Sequence, residues 1–155
     1  MNRQETRSAW PIALMIGIAL ACVTAAAGAQ VVKPVSVWSG VYTAAQNKRG
    51  QEFHADVCAM CHGPRLNGAG QSEMPPSPAI AGTTFLRKWS GQSVAALFVI
   101  VRHTMPPDSP GTLTDQQSID AIAHMLAVSG MPAGNRELPP DPKALANILI
   151  DARPK

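Results

Sequence analysis

Two thiols and an imidazole stand close together at Cys58, Cys61 and His62, with Ala59 and Met60 between the cysteines. The spacing C-x-x-C-H is the signature of covalent haem attachment. Thiols two residues apart share one turn of chain and reach the vinyl groups of adjacent pyrroles. The imidazole of the next residue then points over the iron. Two thioether bonds and one coordinate bond fix a porphyrin without a preformed pocket. Two other chemistries compete for this spacing. A zinc site takes four ligands, commonly with a second Cys/His pair, and His54, His103 and His124 are not paired that way. A thioredoxin-like disulfide sits beside a βαβ unit, and the chain shows none.

The composition is compatible with a bound group. A length of 155 residues allows one compact domain, with room for a tail. Charged residues make up 15% and the net charge is +3, which excludes a polyelectrolyte or a basic nucleic-acid arm. No glycine-rich phosphate loop is present, which disfavours a nucleotide enzyme. Aromatics are 5%, against 14 Pro and 12 Gly. So few aromatics among so much loop point to something other than protein filling the middle.

The N-terminus reads as an address. Arg3 and Arg7 precede an apolar run from Trp10, which closes on Ala27-Gly28-Ala29. This is the pattern of a signal peptide over residues 1–29, cut after Ala29. An uncleaved anchor is the alternative, although the run lies near the lower limit of a spanning helix, roughly 17–25 residues. Lipidation at Cys22 is a second alternative, in the poor context Ala19-Leu20-Ala21. Of 13 Lys+Arg and 10 Asp+Glu, loss of residues 1–29 removes Arg3, Arg7 and Glu5 and leaves +2. It also leaves Cys58 and Cys61 as the remaining cysteines. The expected location is the periplasm, with membrane contact only through an uncut leader.

The elements that must position the motif follow. Residues 30–39 are expected as a flexible lead-in, 40–130 as the domain and 131–155 as a C-terminal extension. A helix is expected over 41–57, carrying Val41, Tyr42, Ala45 and Phe53, with Gly50 inside it. Residues 58–91 are rich in Gly and Pro and read as a long loop, acceptable in a compact domain if it wraps a ligand. Residues 93–102 form a short apolar helix that Pro106 and Pro107 terminate. Thr114 and Gln117 make a capping box for the clearest helix, 114–129. Its Ile119, Ile122, Ala123 and Leu126 lie on one face, and Gly130 is its stop. A last short helix is expected from Pro142 to about Ile150, capped by Asp141. No strand pair with a hairpin turn is visible, so the expected class is all-α.

Between about Gly40 and Gly130 the chain resembles the class I c-type cytochromes. Gly50-Gln51-Glu52-Phe53 is similar to the small-x-x-aromatic element of their first helix. Pro78-Ala79-Ile80-Ala81-Gly82 resembles their P-x-L-x-G stretch. Thr104-Met105-Pro106-Pro107 is similar to their distal ligand loop, and Leu113 to Leu126 to their C-terminal helix. The resemblance implies about four short helices wrapped around one covalently bound haem c. It also implies that the Pro78 carbonyl holds His62. More narrowly, Phe85-Leu86-Arg87-Lys88-Trp89 through Asp108 resembles cytochromes that serve quinoprotein (PQQ) dehydrogenases.

His62 supplies one axial position to the iron. The candidates for the other are Met74, Met105, Met125, Met131, His54, His103 and His124. Met105 is the choice: the chain between it and His62 can pass round the haem, an apolar helix precedes it, two prolines stiffen it and the family pattern agrees. A thioether favours Fe(II) and raises the potential. His103 is the competitor, and its expected place is at a helix end, where its charged form meets the dipole. Met74 is expected to shield an edge, Met125 and Met131 to pack or lie on the surface, and His54 to be solvated. His124 stands where the family often has an aromatic, and is expected as a packed neutral imidazole. Trp89 either donates to a haem propionate or packs. Arg65, Arg87 and Arg102 are further candidates for propionates.

The expected function is an exported monohaem electron carrier, not an enzyme. Its donor would be a quinoprotein dehydrogenase and its acceptor another cytochrome or a terminal oxidase, with no nucleic acid involved. With two propionates against +2, strong charge steering is not expected. The alternatives are a tightly bound haem subunit of a dehydrogenase complex, docked through residues 131–155, and a haem enzyme or sensor with an open iron.

Overall fold

The computed structural model describes residues 33–70, 72–73 and 77–154. The leader 1–29, its cut after Ala29, Cys22 and Met74 lie outside the described residues. Helix α1 spans Ala44–Phe53, and the Thr43 hydroxyl caps it by accepting from the Gln46 N–H at 3.1 Å. The expected start at Val41 is therefore three residues early, because the cap lies inside the apolar run. Tyr42 precedes the helix and is buried, donating its hydroxyl to the Met131 carbonyl at 2.6 Å. The helical run does not stop at Phe53. It continues through a π turn, His54–Cys58, into α2, Ala59–His62. One unbroken spiral thus delivers the Cys-x-x-Cys-His residues.

Helix α5, Asp115–Val128, has both halves of the Thr114/Gln117 capping box. Ile119, Ile122, Ala123 and Leu126 are buried, as the periodicity requires. Gly130 follows at φ 91°, the left-handed backbone of a helix stop. Helix α1 crosses α5 at Gly50, where a Cβ would run into the Asp120 carbonyl. The side-chain-free position lets two backbones touch. Beside it, Arg49 holds Asp120 through two bonds of 2.9 and 3.0 Å and reaches Glu137 at 2.8 Å. Arg49 pulls the Glu137 carboxyl below its usual range.

Helix α3, Gly82–Trp89, lies inside the stretch read as loop. It has eight residues and no side-chain cap, so its start is unmarked in the sequence, and only Arg87 and Lys88 in the last turn mark its end. What makes it a helix is burial of Phe85 and Trp89, one turn apart, with ring centroids at 6.5 Å. Helix α4, Val94–Thr104, starts at a Ser93 cap and ends at Met105, whose backbone is extended. Helix α6 is only Pro142–Leu145, capped by Asp141 as expected.

The all-α expectation needs correcting: the domain is mostly helical but carries a small sheet. Strands β1 (Val35–Ser36), β2 (Gln92–Ser93) and β3 (Ile148–Ile150) pair in the order β1-β3-β2. β3 runs parallel to β1, with Val35 opposite Ile148, and antiparallel to β2, with Gln92 opposite Ile150. Strands of two or three residues show no alternation, and partners far apart in sequence need no hairpin. β3 also replaces the end of the helix expected to reach Ile150.

Both flanks of the expected domain belong to its core. Val37, placed in the flexible lead-in, is fully buried, as are Leu145 and Ile150, and Leu138 is nearly so. The buried Gln46 amide binds the Leu138 backbone twice, at 2.9 and 3.0 Å. Residues 131–151 are therefore folded on the domain rather than extended from it. Among the described residues, no helix is long and apolar enough to cross a membrane.

Two stability predictions follow from this packing. Gly50→Val should force the helix crossing apart and cost about 1–3 kcal/mol in urea denaturation. Truncation after Gly130 strips three buried aliphatics, each worth about 2–5 kcal/mol. That loss approaches the whole stability of a domain, about 5–15 kcal/mol. The truncated chain should show no cooperative unfolding transition by circular dichroism.

Candidate haem site

The spiral from α1 into α2 carries Cys58, Cys61 and His62 into the wall of one cavity, and Pro78, Trp89 and Met105 line the same space. The empty space, open solvent at the mouth included, is about 940 Å³. The walls are chiefly apolar, with Ile80, Leu97, Val101 and Leu113 among them. Among the described residues that line it, Lys88 is the one cation and none is a carboxylate. Haem is a large flat apolar ring with two carboxylates, and this lining fits it.

His62 Nδ1 lies 2.9 Å from the Pro78 carbonyl. A carbonyl can only accept, so Nδ1 carries the hydrogen. That leaves the lone pair of Nε2 free for a metal, the tautomer a histidine ligand needs. Both cysteines are free and half-buried. Burial, and then the neighbouring Cys61, push the Cys58 thiol up to about 11. A redox C-x-x-C pair depends on the opposite shift. Among the described residues no group of three or more His, Cys, Asp and Glu could hold a metal ion by itself.

The candidates for the other axial position separate. Met105 lines the cavity at the point where α4 ends, and Pro106 and Pro107 line it too. Met125, buried on α5, lines it as well. His103 is exposed in the last turn of α4 and takes no part in the lining, and Met131 is buried elsewhere. His124 is buried, with Nδ1 2.9 Å from Asn47 Oδ1, and burial lowers its pKa. His54 departs from expectation. It is 4% exposed rather than solvated, it lines the cavity, and its Nε2 has no partner among the described residues. An unpaired buried polar atom costs about 1–3 kcal/mol unless something in the cavity satisfies it. The signal was available: His54 lies one turn after Gly50, on the face turned to α5.

Trp89 is buried against the cavity, and Lys88 Nζ sits 5.9 Å from its ring centroid. Arg102, a sequence candidate for propionates, is engaged elsewhere. Its Nε lies 2.6 Å from Asp115 and its Nη1 2.8 Å from the Gly111 carbonyl. Arg65 and Arg87 are exposed and do not line the cavity.

Short helices closed around an apolar cavity that carries Cys-x-x-Cys-His define a c-type cytochrome domain, and the mostly helical architecture fits the class I fold. Residues 45–125 match the family described as cytochrome c oxidase, cbb3-type, subunit III, and with just over half of its length matched the chain belongs to that family. No curated protein and no solved structure matches it.

The raised thiol gives a direct test on the haem-free protein. In a Cys61→Ser variant, alkylation of Cys58 by iodoacetamide should be slow at pH 7 and still climbing above pH 9, because burial is the larger cause of the shift. Mass spectrometry of the alkylated peptide reads the rate.

Proposed function

We propose that this chain is an exported carrier of single electrons, with one haem c bonded to Cys58 and Cys61 and its iron held by His62 Nε2 and Met105 Sδ. The observation that carries the reading is the His62–Pro78 hydrogen bond beside two free thiols, in a cavity that Met105 also lines. When bound, the haem supplies an iron that stores or releases one electron. The protein's part is geometric. Pro78 keeps the His62 imidazole in one tautomer and one orientation, so the ligand need not reorganise between charge states. Pro106 and Pro107 limit the backbone at Met105. Leu97, Val101 and Leu113 exclude water, which favours the less charged state of the site and raises its potential.

The leader pattern supports export to the periplasm. The resemblance of 85–108 to cytochromes of quinoprotein dehydrogenases supports such an enzyme as electron donor. The family's description as an oxidase subunit supports a terminal oxidase, or a cytochrome leading to one, as acceptor. That same description favours a second reading, a stably bound haem subunit of a membrane redox complex. Residues 131–151 do not serve it as a free arm, since their apolar side chains are spent on the domain itself.

Three measurements decide. Haem should remain with the exported protein through acid extraction, and a colourless product from cells competent in haem ligation would end the proposal. The oxidised protein should show the weak long-wavelength iron–sulfur band, and the ferrous form should not bind CO at once. Met105→Ala should keep the covalent haem, lose that band, bind CO stoichiometrically and fall in potential. Immediate CO binding by the unaltered protein would instead favour the open-iron alternative, and co-elution with a partner in size exclusion would favour the subunit.

A further inference from the structure

Arg102 is the sequence candidate that the electron-carrier reading leaves without a task. It stands in the last turn of α4, three residues before Met105, and takes no part in the cavity lining. Its guanidinium instead reaches across the loop that leaves α4. Nε donates to Asp115 Oδ1 at 2.6 Å, and Nη1 donates to the Gly111 carbonyl at 2.8 Å. Asp115 is the first residue of α5. One side chain therefore joins the end of α4, the far side of the loop and the start of α5.

The loop has few other ties. Residues 108–112 are exposed, and their remaining hydrogen bonds stay inside the loop. The Ser109 N–H donates to the Pro106 carbonyl at 3.0 Å, the Ser109 hydroxyl to Asp108 and the Thr112 hydroxyl to the Ser109 carbonyl. Among the described residues, the bond from Arg102 to Gly111 is the one that ties the body of this loop to a helix. The loop opens with Met105, Pro106 and Pro107, which line the cavity, and closes with Leu113, which is buried against it. Whatever holds Gly111 therefore holds the segment that presents the Met105 thioether. An exposed ion pair alone contributes little to stability. The Arg102 side chain, however, is only 25% exposed, against 57% for Asp115. A guanidinium that donates through two nitrogens also fixes direction, which a lone ion pair does not.

We propose that Arg102 is a positioning residue: it clamps the loop after α4, keeps the Met105 thioether in the axial place and so closes the site to outside ligands. The proposal rests on the electron-carrier reading. A thioether is a neutral ligand, and its hold depends on how seldom the loop carries it away. An added ligand binds only the fraction of molecules whose loop is open, so its apparent affinity reports that fraction. Without the clamp the open fraction rises, and the chain moves from a closed electron carrier toward a site that accepts ligands.

The test is titration of the oxidised holoprotein with imidazole, followed by loss of the iron–sulfur band. Covalent haem and that band are checked first in the unaltered protein. If either is missing, the carrier reading falls and the clamp with it; if both are present, the titrations bear on the clamp alone. Arg102→Gln should bind imidazole roughly 5-fold more tightly, the effect of one charge-assisted hydrogen bond discounted for the exposure of Asp115. Arg102→Lys has a single ammonium for two partners and should recover only part of the closure. In a Met105→Ala background no thioether has to leave, so Arg102→Gln should add little there. Unchanged affinity in Arg102→Gln, or full rescue by lysine, overturns the assignment. So does an equal gain in the Met105→Ala background, which would mean a general loosening of the cavity. Should Arg102→Gln fail to load haem, NMR of the unaltered holoprotein decides. The Arg102 Nε–H should be protected from exchange, and imidazole should abolish that protection. No protection at the outset, or protection that persists with imidazole bound, refutes the clamp.

Discussion

The close crossing of α1 and α5 at Gly50 is the constraint from which the rest of the structure can be derived. With no side chain at that position, the Asp120 carbonyl meets the α1 backbone directly, in the most extensive helix–helix contact among the described residues. Everything after Gly50 inherits its direction from that point. The spiral runs on through the π turn to His62, so the placing of two thiols and an imidazole is decided a full three turns upstream. Arg49, one residue before the crossing, ties it to Asp120 and Glu137, and thereby to the C-terminal segment.

Such a domain cannot close by its helices alone. Its middle is a cavity, so the aliphatic side chains that would meet in an ordinary core are held apart around a space. Contacts are recovered at the rim. Val37 comes from before α1, Leu138 and Leu145 from after α5, and Ile150 from the strand between β1 and β2. This explains why segments outside the family-matched region 45–125 are packed as tightly as those inside it.

What could be read from the chain was whatever is encoded locally. The attachment spacing, the Thr114/Gln117 box and the Asp141-Pro142 start each need only four or five residues, and the structure has both capped helix starts where expected, although the attachment residues lie in the π turn and α2 rather than in the expected loop. The misses are non-local. Helix α3 exists because Phe85 and Trp89 find burial, not because its start is marked. β3 exists because Val35 and Gln92 wait at distant points of the chain. The cavity residues divide in the same way. Cys58, Cys61, His62 and Met105 announced themselves by type and spacing. Pro78 came from family resemblance, and Trp89 from its indole donor. His54 was misjudged because a lone histidine on a helix looks solvated until its neighbour across the crossing is known.

The pairing of Val35 with Ile148 has a mechanical meaning. Both ends of the packed domain are stapled side by side in one small sheet, and Ser36 and Trp38 fasten to Asp151 besides. A load applied through either terminus is therefore met at this staple, in shear along a parallel pair, before it reaches the helices that shape the cavity. A domain tethered by one end, whether to a lipid surface or to a larger assembly, could swing on its leash without transmitting strain to the cavity.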